Sequence, residues 1–507
     1  MFWDTTVIGV PLSTAIAQLS PLQRQSVWRT LKSPRLLKTE LLAGLVVSLA
    51  LIPEVIAFTV IAGVDPRVGI FASFTMSIVI AFTGGRPAMI SAAAGAVALV
   101  VAPLVRAYGV EYLFATVILA GVIQVSLSAL GVAKLLRFIP RQVMIGFVNG
   151  LAISIFWAQM PELRNVPWQV YPLVILGVAI VCFFPKITKA VPAPLIAIVV
   201  LTAITVFAHV VVPMVGDKGA LPDSLPIFHL PGVPLNLETL KIIAPYAIAV
   251  AFVGLLESLL TAKLVDDITD TPSSKTRESW AQGTANIVTG FFGGICGCAM
   301  IGQTMVGVKV SGGRTRISTA FAGIFMLLLA VLLGDVVAQI PMAALVAVMI
   351  VVSATTFDWH SIKPSTLKMM PKSETFVMLI TVVLTVATHN LAIGVGVGIL
   401  SAMVLFANRV AHMVTVDRSA TEHSAVYKVN GELFFASSND LYMQFDYAQD
   451  PEKVIIDMSD SHLWDASTVA ALDSIRTKYE HYGKRVEIQG LNEASQKMQD
   501  RMGGKLG

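Results

Sequence analysis

Long apolar stretches separated by short polar clusters run along most of this chain, from about Leu42 to Ala407. Folded as helices, such stretches match a hydrocarbon core of about 30 Å, because a helix rises about 1.5 Å per residue. Lys, Arg, Gly and Pro occupy the clusters, as they do between membrane helices. The pattern predicts fourteen spans, at residues 42–62, 68–83, 90–104, 113–133, 142–159, 168–184, 192–213, 242–263, 280–293, 299–310, 316–334, 341–356, 373–389 and 391–408.

From about residue 411 the pattern changes to short apolar runs and polar helical segments. β-Branched and aromatic runs are typical of strands, whereas apolar residues three and four positions apart are typical of helices. The pattern predicts strands at Val426–Val429, Leu433–Phe435, Val454–Met458 and Arg485–Ile488, and helices at Asp440–Tyr447, Ser467–Tyr482 and Asn492–Met502. This segment is predicted to be a small soluble α/β domain.

Composition indicates that lipid is the main solvent of the chain. Of its 507 residues, 55% are hydrophobic and 13% are charged, and the mean hydropathy is +0.75. Soluble domains carry about 25% charged residues, so that class is excluded for the apolar part. The predicted fold class is an α-helical polytopic membrane protein, with a cytoplasmic N-terminal segment at 1–40, a transmembrane domain at 41–410 and the C-terminal domain at 411–507.

Basic residues predict the sidedness of the loops, because cytoplasmic loops carry an excess of Lys and Arg. The stretch from Arg24 to Lys38 is basic and polar and does not read as a cleavable signal peptide. With an even number of spans, both termini are predicted to be cytoplasmic, in a cytoplasmic (inner) membrane. The loops on the predicted inner side contain Arg86, Lys134, Arg137, Arg141, Lys186, Lys189, Lys275, Arg277, Lys309, Arg314, Arg316, Lys363, Lys368 and Lys372.

The third and tenth predicted spans are short and rich in glycine, at Gly84–Ala96 and Gly293–Thr304. Each is the third span of its half, and paired interrupted spans of this kind indicate a transporter's binding site. A helix that begins at mid-membrane has unpaired N–H groups and about half a positive charge at its start, and an anion satisfies both. The alternative is that the glycines only permit close helix packing.

Two glutamates, Glu54 and Glu257, lie inside otherwise apolar spans, each in the first span of its half. An ionisable residue at membrane depth is costly and faces a cavity or a partner. Removal from water favours the neutral form of a carboxyl group, so either glutamate is a candidate proton carrier. The alternative is a protonated side chain bonded to a helix end, which Pro53 favours for Glu54 because proline frees backbone acceptors.

Other chemistry has little support in the sequence. Cys182, Cys296 and Cys298 lie in apolar segments, where thiols fill space between helices, so we predict neither a disulfide framework nor a metal site. The chain shows no phosphate-binding loop and no nucleophile with a base at a recognisable spacing. We therefore expect no enzymatic activity, no bound cofactor or metal, and no nucleic-acid partner.

The sequence resembles the sulfate permease (SulP) family, bacterial relatives of the animal solute-carrier anion exchangers. The C-terminal segment resembles a STAS domain, named for sulfate transporters and anti-sigma-factor antagonists. The resemblance implies an inverted repeat of seven plus seven spans, at about 41–213 and 240–410, with core and gate domains, and a homodimer. It rests on Ile52-Pro53-Glu54, Gly63-Val64-Asp65-Pro66, Gly69, the two glycine-rich spans and Gly312-Gly313-Arg314-Thr315.

The same resemblance implies an anion site between the starts of the third and tenth spans. Met300 and Ile301 stand where relatives often have Ser or Thr, which leaves fewer hydroxyl groups for the anion. Some bicarbonate-carrying relatives bind sodium through Asp at the position of Glu257, and the longer Glu favours a proton. The implied site residues are Ala94, Gly95, Ala299, Met300 and Ile301, with Glu54, Phe58 and Glu257 lining the same cavity.

We therefore expect a secondary transporter of sulfate, bicarbonate or a dicarboxylate such as fumarate, working by elevator-like motion with proton symport. The alternatives are sodium-coupled bicarbonate transport, a nucleobase-type carrier, a channel, and a membrane-anchored signalling protein whose STAS domain binds a cytoplasmic partner. In anti-sigma antagonists a serine is phosphorylated at the place of Ser467, where the alternative is plain helix capping.

Overall fold

The computed structural model describes residues 26–131, 134, 139–187, 192–388, 390–412 and 414–504. The predicted N-terminal segment thus lies outside the described residues up to residue 25, as do Arg137 and Lys189 of the predicted inner loops. The chain divides into two compact units, residues 1–398 and 399–507.

The first half of the apolar region folds into helices at the predicted places. α2 and α3 begin with Pro34 and Pro66, at a position where the missing N–H has no helical partner to lose. Gly63 ends α2 with a φ of 77°, which suits glycine. The elements are α1 Val27–Leu31, α2 Pro34–Ala62, α3 Pro66–Thr83, β1 Ser91–Ala93, α4 Gly95–Tyr108, α5 Val110–Ala129, α6 Arg141–Ala158, α7 Val170–Phe183 and α8 Ala193–Phe207.

The second half repeats this order of elements. α9, α10 and α12 begin with side-chain caps, from Asn236, Ser274 and Thr315, that accept first-turn N–H groups. The elements are α9 Leu237–Thr269, α10 Lys275–Phe291, β2 Gly297–Ala299, α11 Ile301–Met305 with a π-helical turn Val306–Val310, α12 Arg316–Leu332, α13 Gly334–Ala338, α14 Met342–Thr356, α15 Pro364–Met369, α16 Lys372–Thr388 and α17 Leu391–Ala411.

Among the described residues, six helices are long and apolar enough to cross a membrane: Pro34–Ala62, Pro66–Thr83, Val110–Ala129, Arg141–Leu163, Leu237–Thr269 and Leu391–Val410. Shorter apolar helices accompany them at Gly95–Tyr108, Val170–Lys186, Ala193–Phe207, Arg316–Leu332 and Met342–Thr356. The third and tenth predicted spans differ from the expectation, since each starts as a strand before it becomes helical. The number of crossings stays a prediction of the sequence.

Glycine allows close packing of several helices. A Cβ atom added to Gly121 of α5 would lie 2.5 Å from the carbonyl oxygen of Gly283 on α10, and one added to Gly283 would lie 2.6 Å from that of Gly121. Gly146 of α6 approaches Thr381 of α16 in the same way, at 2.7 Å from its Cβ. Small residues hold these helices together where lipid provides no hydrophobic driving force.

The C-terminal unit contains a four-stranded sheet in the order β3-β4-β5-β6. The first pair is antiparallel and the other two pairs are parallel. Buried side chains of the strands and of α19, among them Tyr427, Ile456 and Leu472, form its core. The elements are β3 Thr415–Ala420, β4 Ser424–Leu433, α18 Ser438–Met443, β5 Lys453–Leu463, α19 Ala466–His481, β6 Arg485–Gln489 and α20 Glu493–Met502.

Three local predictions for this unit were wrong. The strand predicted at 426–429 is part of the longer strand β4, which ends at Leu433, so the strand predicted at 433–435 is not formed beyond its first residue. The strand β3 was missed because its sequence is polar and mostly exposed. The helix predicted at 440–447 ends at Met443. Asp465 caps α19 through Thr468 N, and Ser467 lies exposed in the first turn. Phosphorylation of Ser467 stays a prediction.

Asp450 joins four parts of this unit. Its carboxylate accepts hydrogen bonds from the Tyr427 hydroxyl at 2.6 Å, the Tyr479 hydroxyl at 2.5 Å and the Arg418 guanidinium at 2.6 Å. Burial, reinforced by the bond to Asp450, raises the pKa of both phenols, so they remain neutral donors. The cluster therefore ties β3, β4 and α19 to the loop before β5.

We expect Asp450→Asn to destabilise the C-terminal unit by about 2 kcal/mol, because its amide keeps one oxygen for Arg418 but presents N–H donors to the Tyr427 and Tyr479 hydroxyls, which donate to the other carboxylate oxygen. Hydrogen exchange of β5 amides, followed by mass spectrometry on the full chain, should accelerate by about thirtyfold. Asp460→Asn is the matched control, since Asp460 pairs with Lys428 on the surface, with 57% of its side chain exposed. Equal exchange rates in the two variants would contradict a stabilising role for Asp450.

Candidate functional site

The two interrupted spans begin as short strands that pair with each other. Their antiparallel register places Ser91 opposite Ala299, Ala92 opposite Cys298 and Ala93 opposite Gly297. A helix follows each strand, α4 from Gly95 and α11 from Ile301. Because the strands run in opposite directions, these two half-helices leave the strand pair from opposite ends.

Neither half-helix is capped by a side chain of the described residues. Ala94 and Met300 occupy the cap positions with extended backbone, and neither side chain carries an oxygen. They are only 2% and 5% exposed. The first N–H groups of both half-helices therefore remain available to a bound anion, whereas those of α9, α10 and α12 are bonded to caps.

One face of α2 contacts both half-helices. Gln303, in the first turn of α11, donates its side-chain N–H to the Glu54 carboxylate. One helical turn further along α2, the Phe58 ring lies against the start of α4, where a Cβ atom on Gly95 would come within 2.7 Å of the ring. Since residues four apart share a helix face, Glu54 and Phe58 line the same side of α2.

Glu257 on α9 contacts the strand that precedes the second half-helix. The Cys298 thiol donates to its carboxylate at 3.0 Å, and the neighbouring Ser258 hydroxyl accepts the Ala299 N–H at 3.0 Å. Thr261 donates to the Glu257 carbonyl oxygen at 2.8 Å. In the part of the chain that the structure describes, both glutamates thus bond to the segment formed by β2 and α11, and neither bonds to β1 or α4.

Polar side chains support the extended backbone at membrane depth. Asn286 of α10 bonds to both the N–H and the carbonyl oxygen of Gly297, at 3.0 and 3.1 Å. Ser73 of α3 accepts the Ala93 N–H at 3.1 Å, and Thr304 accepts the Ile90 N–H at 3.0 Å. These bonds replace the water that irregular backbone would otherwise need inside the bilayer.

The glycines of the two interrupted spans serve different purposes. A Cβ atom on Gly294 would lie 2.8 Å from Ala72 Cα, and one on Gly85 would lie 2.6 Å from Glu278 N, so both permit close packing. At Gly302 an added Cβ atom meets nothing within 4 Å, and the residue is exposed. Space is therefore open beside the first turn of α11, next to Gln303.

A buried cation near the start of the third span is already paired. Arg86 donates to Asp266 at 2.9 Å and to the Thr271 carbonyl oxygen at 2.7 Å. Its charge is compensated by α9 and the following loop, so it is not available to an anion at the half-helices.

The described residues also line a half-open cavity of about 600 Å³, between the loops that follow α2 and α4 and the connection before α9. Its polar lining includes Asp65, Arg67 and Glu111, with His229 3.0 Å from the Glu111 carboxylate. None of the predicted site residues lines it. Substrate contacts are therefore not assigned to this cavity.

The structure places the predicted site residues on five neighbouring elements: Glu54 and Phe58 on α2, Ala94 and Gly95 at the start of α4, Ala299 on β2, Met300 and Ile301 at the start of α11, and Glu257 on α9. Sequence reasoning missed Gln303 and Gly302, and it treated Cys298 only as a space-filling residue. A polar residue three positions after a half-helix cap was the available signal for Gln303.

Two family profiles match most of the chain. The sulfate permease family matches residues 37–172 and 162–381, and the STAS domain matches residues 415–504. The chain is 50% identical over 466 residues to YbaR of Bacillus subtilis, which is named as a sulfate transporter, covering 92% of this chain and 97% of that protein. It is 27% identical over 413 residues to the bicarbonate transporter BicA of a Picosynechococcus species, covering 75% of this chain and 72% of that one.

The solved murine Solute Carrier 26 family member A9 anion transporter has the same fold. It superposes with a TM-score of 0.80 at 15% identity, covering 99% of this chain and 92% of that chain. The predicted fold class, a mostly helical transmembrane part followed by a STAS domain with a small sheet, is confirmed.

Proposed function

Because this chain belongs to the sulfate permease family, we propose that it works as a secondary active transporter in which a small anion and a proton cross together. Its relatives support an anion transporter of this family in a membrane. The proposal adds the substrate, which is sulfate, bicarbonate or a dicarboxylate such as fumarate, and the coupling.

One observation carries the proposal: the uncapped starts of α4 and α11 lie beside two glutamates that bond to β2 and α11. Backbone N–H groups at a helix start attract an anion without needing a buried Lys or Arg. A carboxyl group beside them repels the anion when ionised and ceases to do so when protonated. Proton binding and anion binding then favour each other.

We assign the anion to Ala94, Gly95, Ala299, Met300 and Ile301, with Glu54 and Phe58 beside it, and the coupling proton to Glu257. The thiol of Cys298 is a weak hydrogen-bond donor, so it leaves the Glu257 carboxylate poorly compensated and ready to accept a proton. The core domain, formed by the first four spans of each repeat and so containing both half-helices, would move against the gate domain, formed by the other three spans. This is an elevator-like motion. No cofactor takes part in this cycle.

Sodium is the second candidate for the coupling ion, and similarity to the bicarbonate transporter BicA favours testing it. In that case Glu257 would bind the ion as a carboxylate, with oxygen atoms of its neighbours completing the site. We further propose a homodimer in a cytoplasmic (inner) membrane with both termini in the cytoplasm, where the STAS domain meets any soluble partner.

The test is uptake of labelled sulfate, bicarbonate and fumarate by the purified protein in proteoliposomes. We expect one of the three to accumulate when the outside is acidic, and a proton ionophore to abolish that accumulation. Accumulation that is driven by a sodium gradient and is insensitive to the ionophore would identify sodium, and not the proton, as the coupling ion.

Two further outcomes would reject the proposal. A conductance too large for a carrier cycle would indicate a channel. No movement of any of these anions in vesicles, with protein that remains folded, would favour a membrane-anchored STAS signalling protein.

A further inference from the structure

Gln303 lies in the half-helix α11, beside Glu54 and next to the open space at Gly302. It is in the first turn of α11 and only 4% exposed. Its side-chain Nε2 donates to the Glu54 carboxylate across the interface between α11 and α2. The preceding residue, Gly302, faces the open space, and the following residue, Thr304, is bonded to the Ile90 N–H.

Among the described residues, the Gln303 side chain is the one seen to hydrogen-bond to the Glu54 carboxyl group. Among the elements packed against α2, the charged residues sit near the ends or in turns. Arg67 pairs with Asp65, and Arg316 donates to the Ala81 carbonyl oxygen. The charged residues on α2 and on those elements are Arg35, Lys38, Glu40, Arg29, Arg67, Arg106, Lys309 and Arg316.

We propose that Gln303 is a positioning residue for the transport cycle, and that its amide N–H bonds to the Glu54 carboxylate in the empty site and to the anion once Glu54 is protonated. This rests on the proposed function, because it requires an anion at the start of α11. A second proton, besides the one assigned to Glu257, is bound by a Glu54 carboxylate oxygen when the anion enters and leaves from it when the anion is released.

The physical reason is a competition between two negative groups for one donor. A hydrogen bond to a carboxylate is about twice as strong as one to a neutral group, so protonation of Glu54 weakens its hold on the amide. The same event removes the negative charge that would repel an anion nearby. Gln303 therefore links the charge of Glu54 to anion affinity, and the coupling acts equally in both directions.

The test measures anion KM against pH by counterflow in proteoliposomes with equal pH on both sides, using the anion that the wild-type protein carries among sulfate, bicarbonate and fumarate. Gln303→Met keeps the side-chain length and removes the amide. Without the donor the carboxylate form of Glu54 is less favoured, so the pH at which KM rises should move up by about one unit. Well below that pH, KM should increase by about tenfold, since the anion also loses a donor.

Controls separate this role from a structural one. Glu54→Gln should remove the pH step in KM, and adding Gln303→Met to it should produce no further pH shift. Gln303→Asn, which keeps a shorter amide, should lie between wild type and Gln303→Met. A Gln303→Met variant with a changed maximal rate but an unmoved pH step would overturn the proposal and leave the proposed function intact.

A second measurement does not depend on transport. Infrared titration of the purified protein should show a protonated carboxyl band that Glu54→Gln removes, and this band should persist to a higher pH in Gln303→Met than in wild type. If the band titrates at the same pH in both, Gln303 does not position Glu54. Failure of all transport, with the band shifted as expected, would count against the proposed function while supporting the Gln303 contact.

Discussion

Replacing Gly302 by tryptophan should abolish anion uptake while leaving the protein folded. A side chain at Gly302 projects into open space, since an added Cβ atom meets nothing within 4 Å. An indole there would fill the hollow beside the first turn of α11 and displace an anion from its N–H groups. The anion would lose at least two backbone N–H hydrogen bonds, each worth about 1.5–3 kcal/mol to a charged group, so we expect uptake to fall by at least about a hundredfold.

The matched control is Gly396→Trp. Gly396 is also an exposed helical glycine whose added Cβ atom meets nothing within 4 Å, but it lies in α17, away from β2 and the half-helices. Its tryptophan variant should transport at close to the wild-type rate, as should Gly302→Ala. Normal uptake by Gly302→Trp, or equal losses in both tryptophan variants, would contradict the assignment of the anion to the start of α11.

Glu257→Gln should weaken gradient-driven accumulation and keep exchange. The amide is isosteric with a protonated carboxyl group and still bonds to Cys298, so the site keeps its shape, but it cannot release a proton. With the outside one pH unit more acidic, the accumulation ratio should fall by about tenfold, because the proton on Glu257 no longer drives the anion and only the proton on Glu54 remains. Counterflow of the same anion, with no gradient, should continue within about threefold of the wild-type rate.

Asp267→Asn on the same helix controls for the loss of one negative charge, because Asp267 is exposed. It should accumulate the anion as wild type does. Undiminished proton-driven accumulation in Glu257→Gln would exclude Glu257 as a proton carrier. Loss of both accumulation and counterflow would mean that the side chain is needed for anion binding itself.

The transport results for Glu54→Gln and Glu257→Gln, taken together, distinguish the roles of the two glutamates. Glu54 shares a helix face with Phe58 and bonds to α11, so its charge should act on anion affinity. Glu257 bonds to β2 through a thiol, so its charge should act on the driving force. Anion affinity that depends on pH only through Glu257 would reverse these assignments.

The glycine-rich spans show where prediction from the sequence stopped. Two explanations were open for these glycines, close packing and a binding site. In the structure some of the glycines pack closely, whereas another faces open space. Gly85 and Gly294 are pressed against backbone, whereas Gly302 faces open space. No local pattern separates the two kinds, because the atoms that crowd Gly85 belong to α10, nearly two hundred residues away along the chain.

The sequence by itself determined the membrane-spanning class, the positions of the two interrupted spans and the two intramembrane glutamates. Those features depend on the cost of each residue in lipid, which is local and additive along the chain. Only the tertiary structure decided that β1 pairs with β2, that both glutamates bond to the β2–α11 segment, and that Gln303 reaches Glu54. These contacts join residues that are far apart along the chain, and their energies exist only once the helices have packed and excluded water from between them.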